Sequence, residues 1–159
     1  MSPLVSRARS SSSAPSYGPG GGTNIARPVA LLLGVVYLVA GVVGFAVTGF
    51  NGFVASGGST IAGLHLNGFH NVVHLGIGAI LIIASRVPDA TITQGILLGV
   101  AILYVAATLL GFLGKLPIIA VTTAGNGDNF LHLVSASVAL FGGLAGAAQQ
   151  SAADKAFGQ

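Results

Sequence analysis

The chain contains no cysteine. That excludes disulfides, iron–sulfur ligation and thiol chemistry, and leaves the redox compartment open. Glutamate is absent too, so the only acids are Asp89, Asp128 and Asp154. Hydrolytic and general acid–base schemes usually need two carboxylates, or a carboxylate beside a base. A non-enzymatic protein is therefore expected. Charge is scarce in both signs: 6% of the 159 residues are charged, six Lys+Arg against three Asp+Glu, where soluble domains carry roughly 25%. The net charge of +3 gathers into no basic patch, so nothing favours nucleic acid as a partner.

What remains is apolar. A mean hydropathy of +0.89 in a chain of single-domain length points to an integral membrane protein in contact with the bilayer. Residues 1–26 are the exception, rich in Ser, Gly and Pro ("SRARSSSSAPSYGPGGGT"). Such a segment cannot bury a core and is expected to be a disordered tail. A cleaved leader is not expected, because the apolar run starts far behind Arg7 and Arg9 and is too long. The membrane domain covers 27–149, with spans at about 28–50, 67–85, 92–114 and 128–149, and a second tail follows at 150–159. Almost no polar stripe runs along these spans, unlike the helices of a soluble bundle. Arg7, Arg9, Arg27, Arg86 and Lys155 fall on one side of the membrane and Lys115 on the other. The positive-inside rule then puts both termini in the cytoplasm and the protein in the plasma membrane, as a multi-pass chain. The two long connections, 51–66 and 115–127, face outward as short strands or caps.

The halves repeat. "YLVAGVVGF" (37–45) matches "YVAATLLGF" (104–112), and "NGFHNVVHL" (67–75) aligns with "NFLHLVSAS" (129–137) through Asn-x-x-His. Two parallel two-helix repeats, related by an axis along the membrane normal, make an all-α four-helix bundle with its second and fourth helices diagonal. In that alignment His70 and His132 lie at equal depth and His74 one turn deeper. Asn67, His70, Asn71 and His74 share one helix face.

Two readings of this polar stripe stay open. In one it is purely structural: Asn67 and Asp128 cap their helices, and the histidines clamp the repeats in an accessory or scaffold subunit of a membrane complex. In the other, His70, His74, His132 and Asp128 ligate a divalent metal such as zinc, with Asn67, Asn71 and Asn129 orienting the rings. Haem ligation by His70 and His132 and proton sensing are further alternatives. His65 is expected at the surface. Gly95-x-x-x-Gly99 and Gly142-x-x-x-Gly146 offer small faces, suited to packing within the bundle ahead of homo-oligomers or a membrane-protein partner.

The pair "LNGFHNVVHLGIG" and "GDNFLHLV" resembles a bacterial four-span family common in actinobacteria and catalogued as a domain of unknown function. The resemblance spans residues 28–148 and implies four membrane helices with outward His, Asn and Asp. It brings no activity with it. Gly68 stands where that family often has proline.

Overall fold

The structure is a computed structural model describing residues 23–158. Of the tail expected over 1–26, residues 1–22 lie outside the described residues, whereas Asn24 and Ile25 bond to α4 and Ala26 opens α1. Four helices form: α1 (Ala26–Thr48), α2 (Gly68–Arg86), α3 (Ala90–Phe112) and α4 (Gly127–Phe157). All four are long and apolar enough to cross a membrane, as in a multi-pass membrane protein. Local chemistry sets their ends. Asn67, Asp89 and Asn126 accept backbone amides at the starts of α2, α3 and α4, as side-chain caps do. Pro88 forces the preceding Val87 into extended geometry and closes α2.

One boundary differs from expectation. The segment 150–159 reads as a tail, yet α4 continues to Phe157 and ends on Gly158 at φ 72°. "QQSAADKA" holds no Gly or Pro to stop it. Glycine is the residue that takes this left-handed turn without strain. The helix is 31 residues long, or about 46 Å at about 1.5 Å per residue, and so outruns a hydrocarbon layer of about 30 Å.

α1 packs most extensively on α2 and α3 on α4, while α2 and α4 stay across the bundle from each other. Leu33, Tyr37, Ile77, Leu81, Leu97, Tyr104 and Ala139 fill the centre, and Leu32, Ile102 and Phe141 point away from it. At the α1–α2 crossing, a Cβ on Gly78 would lie 2.8 Å from the Leu38 nitrogen, and one on Gly34 would lie 2.9 Å from the Ile82 nitrogen. The glycines therefore let backbone meet backbone. Gly142 and Gly146 are likewise packed within the bundle. Gly95 and Gly99 are not: a Cβ at either would meet nothing within 4 Å. The expectation of internal packing fails for that pair, because α3 turns it outward.

The two ends of the bundle are built differently. At one, Gln94 donates to Gln150 (2.9 Å), the Ile25 amide to Gln149 (2.9 Å) and Asn24 to the Gly146 carbonyl (2.9 Å), tying the starts of α1 and α3 to the later turns of α4. Arg27 donates to the Pro88 carbonyl there. At the other end lies a cap. The chain before α2 forms an antiparallel hairpin, β1 (Ser59–Ile61) and β2 (Leu64–Leu66), with Thr60 opposite His65. Its two-residue turn, Ala62 (φ 49°) and Gly63 (φ 83°), has both centres at positive φ, as a type I′ turn demands. The chain before α4 forms a 3₁₀ turn, Pro117–Ile119, flanked by a Leu116–Val121 bridge. Leu66, Ala120 and Val121 are buried under this cap.

Candidate metal centre

The polar residues of α2 and α4 converge just beneath the cap. Asn67 fixes the first turn of α2 by accepting the His70 amide at 2.9 Å. One turn on, His74 falls on the same face, its ring centroid 4.4 Å from that of His70. His132 arrives from α4 with its ring 5.9 Å from that of His70. All three histidines are buried, and each offers a ring nitrogen within 4.8 Å of the others. The Nδ1 atoms of all three are buried without a hydrogen-bond partner among the described residues. A buried polar atom left unmatched costs about 1–3 kcal/mol, so three together are a marked feature of the core.

The remaining residues singled out in the sequence are engaged elsewhere. Asp128 stands outside the histidine group and accepts the His65 backbone amide at 2.8 Å. It does not cap α4; Asn126 does, accepting the Asp128 amide at 3.1 Å. His65 sits half-buried on β2, and its backbone, with that of Ile119, stands against the His70 ring. Asn67 donates to two separate loops, to the Ala55 carbonyl at 3.1 Å and the Ile118 carbonyl at 2.9 Å. Asn71 donates to Thr48 (2.8 Å) and Asn129 to the Thr123 and Ala124 carbonyls (3.0 and 3.1 Å). The three asparagines thus bind backbone or a hydroxyl rather than an imidazole, and they brace the cap and the helix ends around the site.

The repeat is present, but one turn out of the expected register. His74 stacks on Tyr37 with centroids 5.2 Å apart, and His132 on Tyr104 at 5.3 Å. Asn71 lies against Gly44, and Asn129 against Gly111. Tyr37 and Tyr104, like Gly44 and Gly111, are repeat partners, so His132 is the equivalent of His74 and not of His70. The sequence holds a signal for this: "NVVHL" (71–75) and "NFLHL" (129–133) share a leucine that the other alignment lacks. His70 then corresponds to Asp128, and the triad is a symmetric histidine pair with one extra member.

Tyr37 and Tyr104, which continue the polar stripe of the sequence toward mid-membrane, stand beside the histidines. They stack on each other across α1 and α3, with centroids 5.3 Å apart and planes 17° from parallel. Tyr37 hydrogen-bonds Ser135, and the buried Tyr104 hydroxyl lies beside the Tyr37 hydroxyl, short of ideal hydrogen-bond geometry.

A family model described as "Domain of unknown function (DUF4383)" matches residues 27–145. Comparison with curated proteins and with solved structures finds no match.

Proposed function

The chain belongs to this family, and we propose that it is a plasma-membrane protein holding one divalent metal ion, with zinc the best fit, between His70, His74 and His132. The carrying observation is the set of three buried imidazole donors within 4.8 Å of one another. Imidazole suits zinc, copper and nickel, and the group contains no sulfur ligand. Tetrahedral zinc at about 2.0–2.1 Å from each nitrogen sets the ligand atoms about 3.4 Å apart, so a shift of about 1 Å in the rings closes the set. Three protein donors leave the fourth position open. The function proposed is binding and not catalysis, since Asp128, the nearest acid, is already bonded to His65.

Detergent-purified protein is expected to carry about one metal per chain, measured by elemental analysis and removed by a strong chelator. His132→Ala should weaken binding by more than the roughly 10–100-fold typical of losing a supporting residue. Protein that holds no stoichiometric metal at neutral pH would sink this reading. It would favour instead an accessory subunit whose polar cluster is purely structural, a role supported by the bonds of Asn67, Asn126 and Asn129 to backbone.

Orientation rests on charge. Arg27, Arg86 and Lys155 sit at the end opposite the hairpin and Lys115 at the hairpin end, which directs the cap and the metal site outward. The cysteine-free chain makes a clean test. In intact cells, Ser59→Cys is expected to react with a membrane-impermeant maleimide and Ser151→Cys only after permeabilisation; the reverse pattern would invert the topology.

A further inference from the structure

The apolar surface of this protein does not stop where its helices stop. Phe50 is 77% exposed and Leu113 69%, in the range of Ile102 at 72%, which points away from the bundle on α3. Val54 and Ile118 are exposed as well. All four belong to the connections that build the cap, Phe50 and Val54 after α1, Leu113 and Ile118 after α3. They continue the outer faces of those helices. The chain reverses at Gly49, φ 56°, and sets the Phe50 ring 4.9 Å from that of Phe45 on α1. Leu113 directly follows Phe112, whose ring meets Phe130 edge-on at 5.5 Å. Contiguous apolar surface of this kind marks a site of contact with protein or membrane.

Length places these residues at a definite level. About 20 residues of helix cross about 30 Å of hydrocarbon. Counted from Arg27 on α1 and from Ala90 on α3, both at the uncapped end, the layer ends near Val47 and Leu110. The four apolar residues therefore fall at the boundary of acyl chains and headgroups, where apolar side chains sink about 5–10 Å. Lys115 is the only charge in segments 49–55 and 113–119. A lysine suits this level, since its stem lies among apolar groups while its ammonium reaches the phosphates. The repeat distinguishes lipid from protein as the occupant. A two-fold axis along the membrane normal sets the two connections on opposite sides of the bundle. One docked protein would cover one of them; a bilayer surrounds both.

We infer that the cap is seated in the lipid boundary rather than raised above it, with Phe50, Val54, Leu113 and Ile118 against phospholipid on two opposite sides. The outer face of the hairpin, where the exposed Thr60 stands opposite His65, stays in water. The cap is then held from below by Asn67 and from the sides by lipid. This inference rests on the four spans and the repeat, and is independent of any metal at the histidines.

The test uses the full chain, whose lack of cysteine permits single spin labels at Val54→Cys, Ile118→Cys, Thr60→Cys and Ile102→Cys. Each variant is reconstituted into vesicles of phosphatidylcholine and phosphatidylglycerol. Power saturation then compares relaxation by oxygen, which concentrates in lipid, with relaxation by a neutral nickel chelate, which stays in water. The oxygen-to-chelate ratio at 54 and at 118 is expected to approach that at 102, the lipid-facing reference. At 60 it should fall well below that value. A ratio at 54 or 118 matching that at 60 would overturn the inference, because the cap would then stand in water. Low access to both reagents at either position would also overturn it, in favour of a second copy of the chain covering that side. Should Val54→Cys or Ile118→Cys fail to fold, Phe50→Cys or Leu113→Cys replaces it on the same connection, with the same expected ratio and the same refuting results.

Discussion

Replacing Asn67 with alanine is expected to destabilise the protein by about 3 kcal/mol, the sum of a lost cap and two abandoned carbonyls. Asn67 is 2% exposed, so water does not readily replace what its side chain provides. Its oxygen accepts the His70 amide, and its amide holds Ala55 and Ile118, which belong to the two different connections of the cap. One residue therefore joins α2, the hairpin connection and the 3₁₀ turn. Asn67→Ser keeps an acceptor for the helix but not the donors, and should recover about 1 kcal/mol. Unfolding in a mixed detergent series measures both variants. Amide exchange should show the loss falling first on the cap, because loops held by few bonds open before packed helices do. An Asn67→Ala protein that unfolds with the wild type, cap protection unchanged, would remove the clamp from this account.

Gly78→Leu is expected to be at least as damaging, about 3 kcal/mol or more, through separation of α1 from α2. Overpacking usually costs about 1–3 kcal/mol because side chains can adjust. Here the obstacles are the Leu38 nitrogen and the Gly34 carbonyl oxygen, which are backbone atoms. They can yield only by moving a whole helix. Without a hydrophobic force between helices in lipid, such close packing is a main source of association. Gly76, Gly95 and Gly99 supply controls, since a Cβ on each meets nothing within 4 Å. Alanine at those positions should be neutral or slightly stabilising, given the advantage of up to about 1 kcal/mol that alanine holds in a helix. If Gly95→Ala costs as much as Gly78→Ala, the assignment of which glycines face inward is wrong.

Much of this architecture was readable beforehand, for reasons visible in particular residues. A span such as 28–50 contains no charge, and its transfer into lipid depends on a sum over neighbouring residues. The turn at Pro88 and Asp89 was equally local. The repeat was readable because Tyr37/Tyr104 and Gly44/Gly111 recur. Its register on the second and fourth helices was not, because Asn-x-x-His occurs twice in a row on α2 and the intervening loop length is free to absorb a shift of one turn. Asp128 illustrates another limit. A carboxylate near a helix start reads as a cap or a ligand, and only the arrival of His65 from the hairpin shows which bond it makes.

The sequence alone determined that this is a four-span membrane protein, that it is duplicated, and that its histidines gather toward one end of the bundle. Those properties come from composition, spacing and length, which act along the chain. The tertiary structure decided that His70, His74 and His132 meet while Asp128 stands aside, that Tyr37 and Tyr104 underlie them, and that Gly78 faces a backbone while Gly95 faces away. Each of these depends on how far a helix is rotated about its axis and where it crosses its neighbour. Those angles are settled by packing between residues far apart in the chain, so no local window of the sequence contains them.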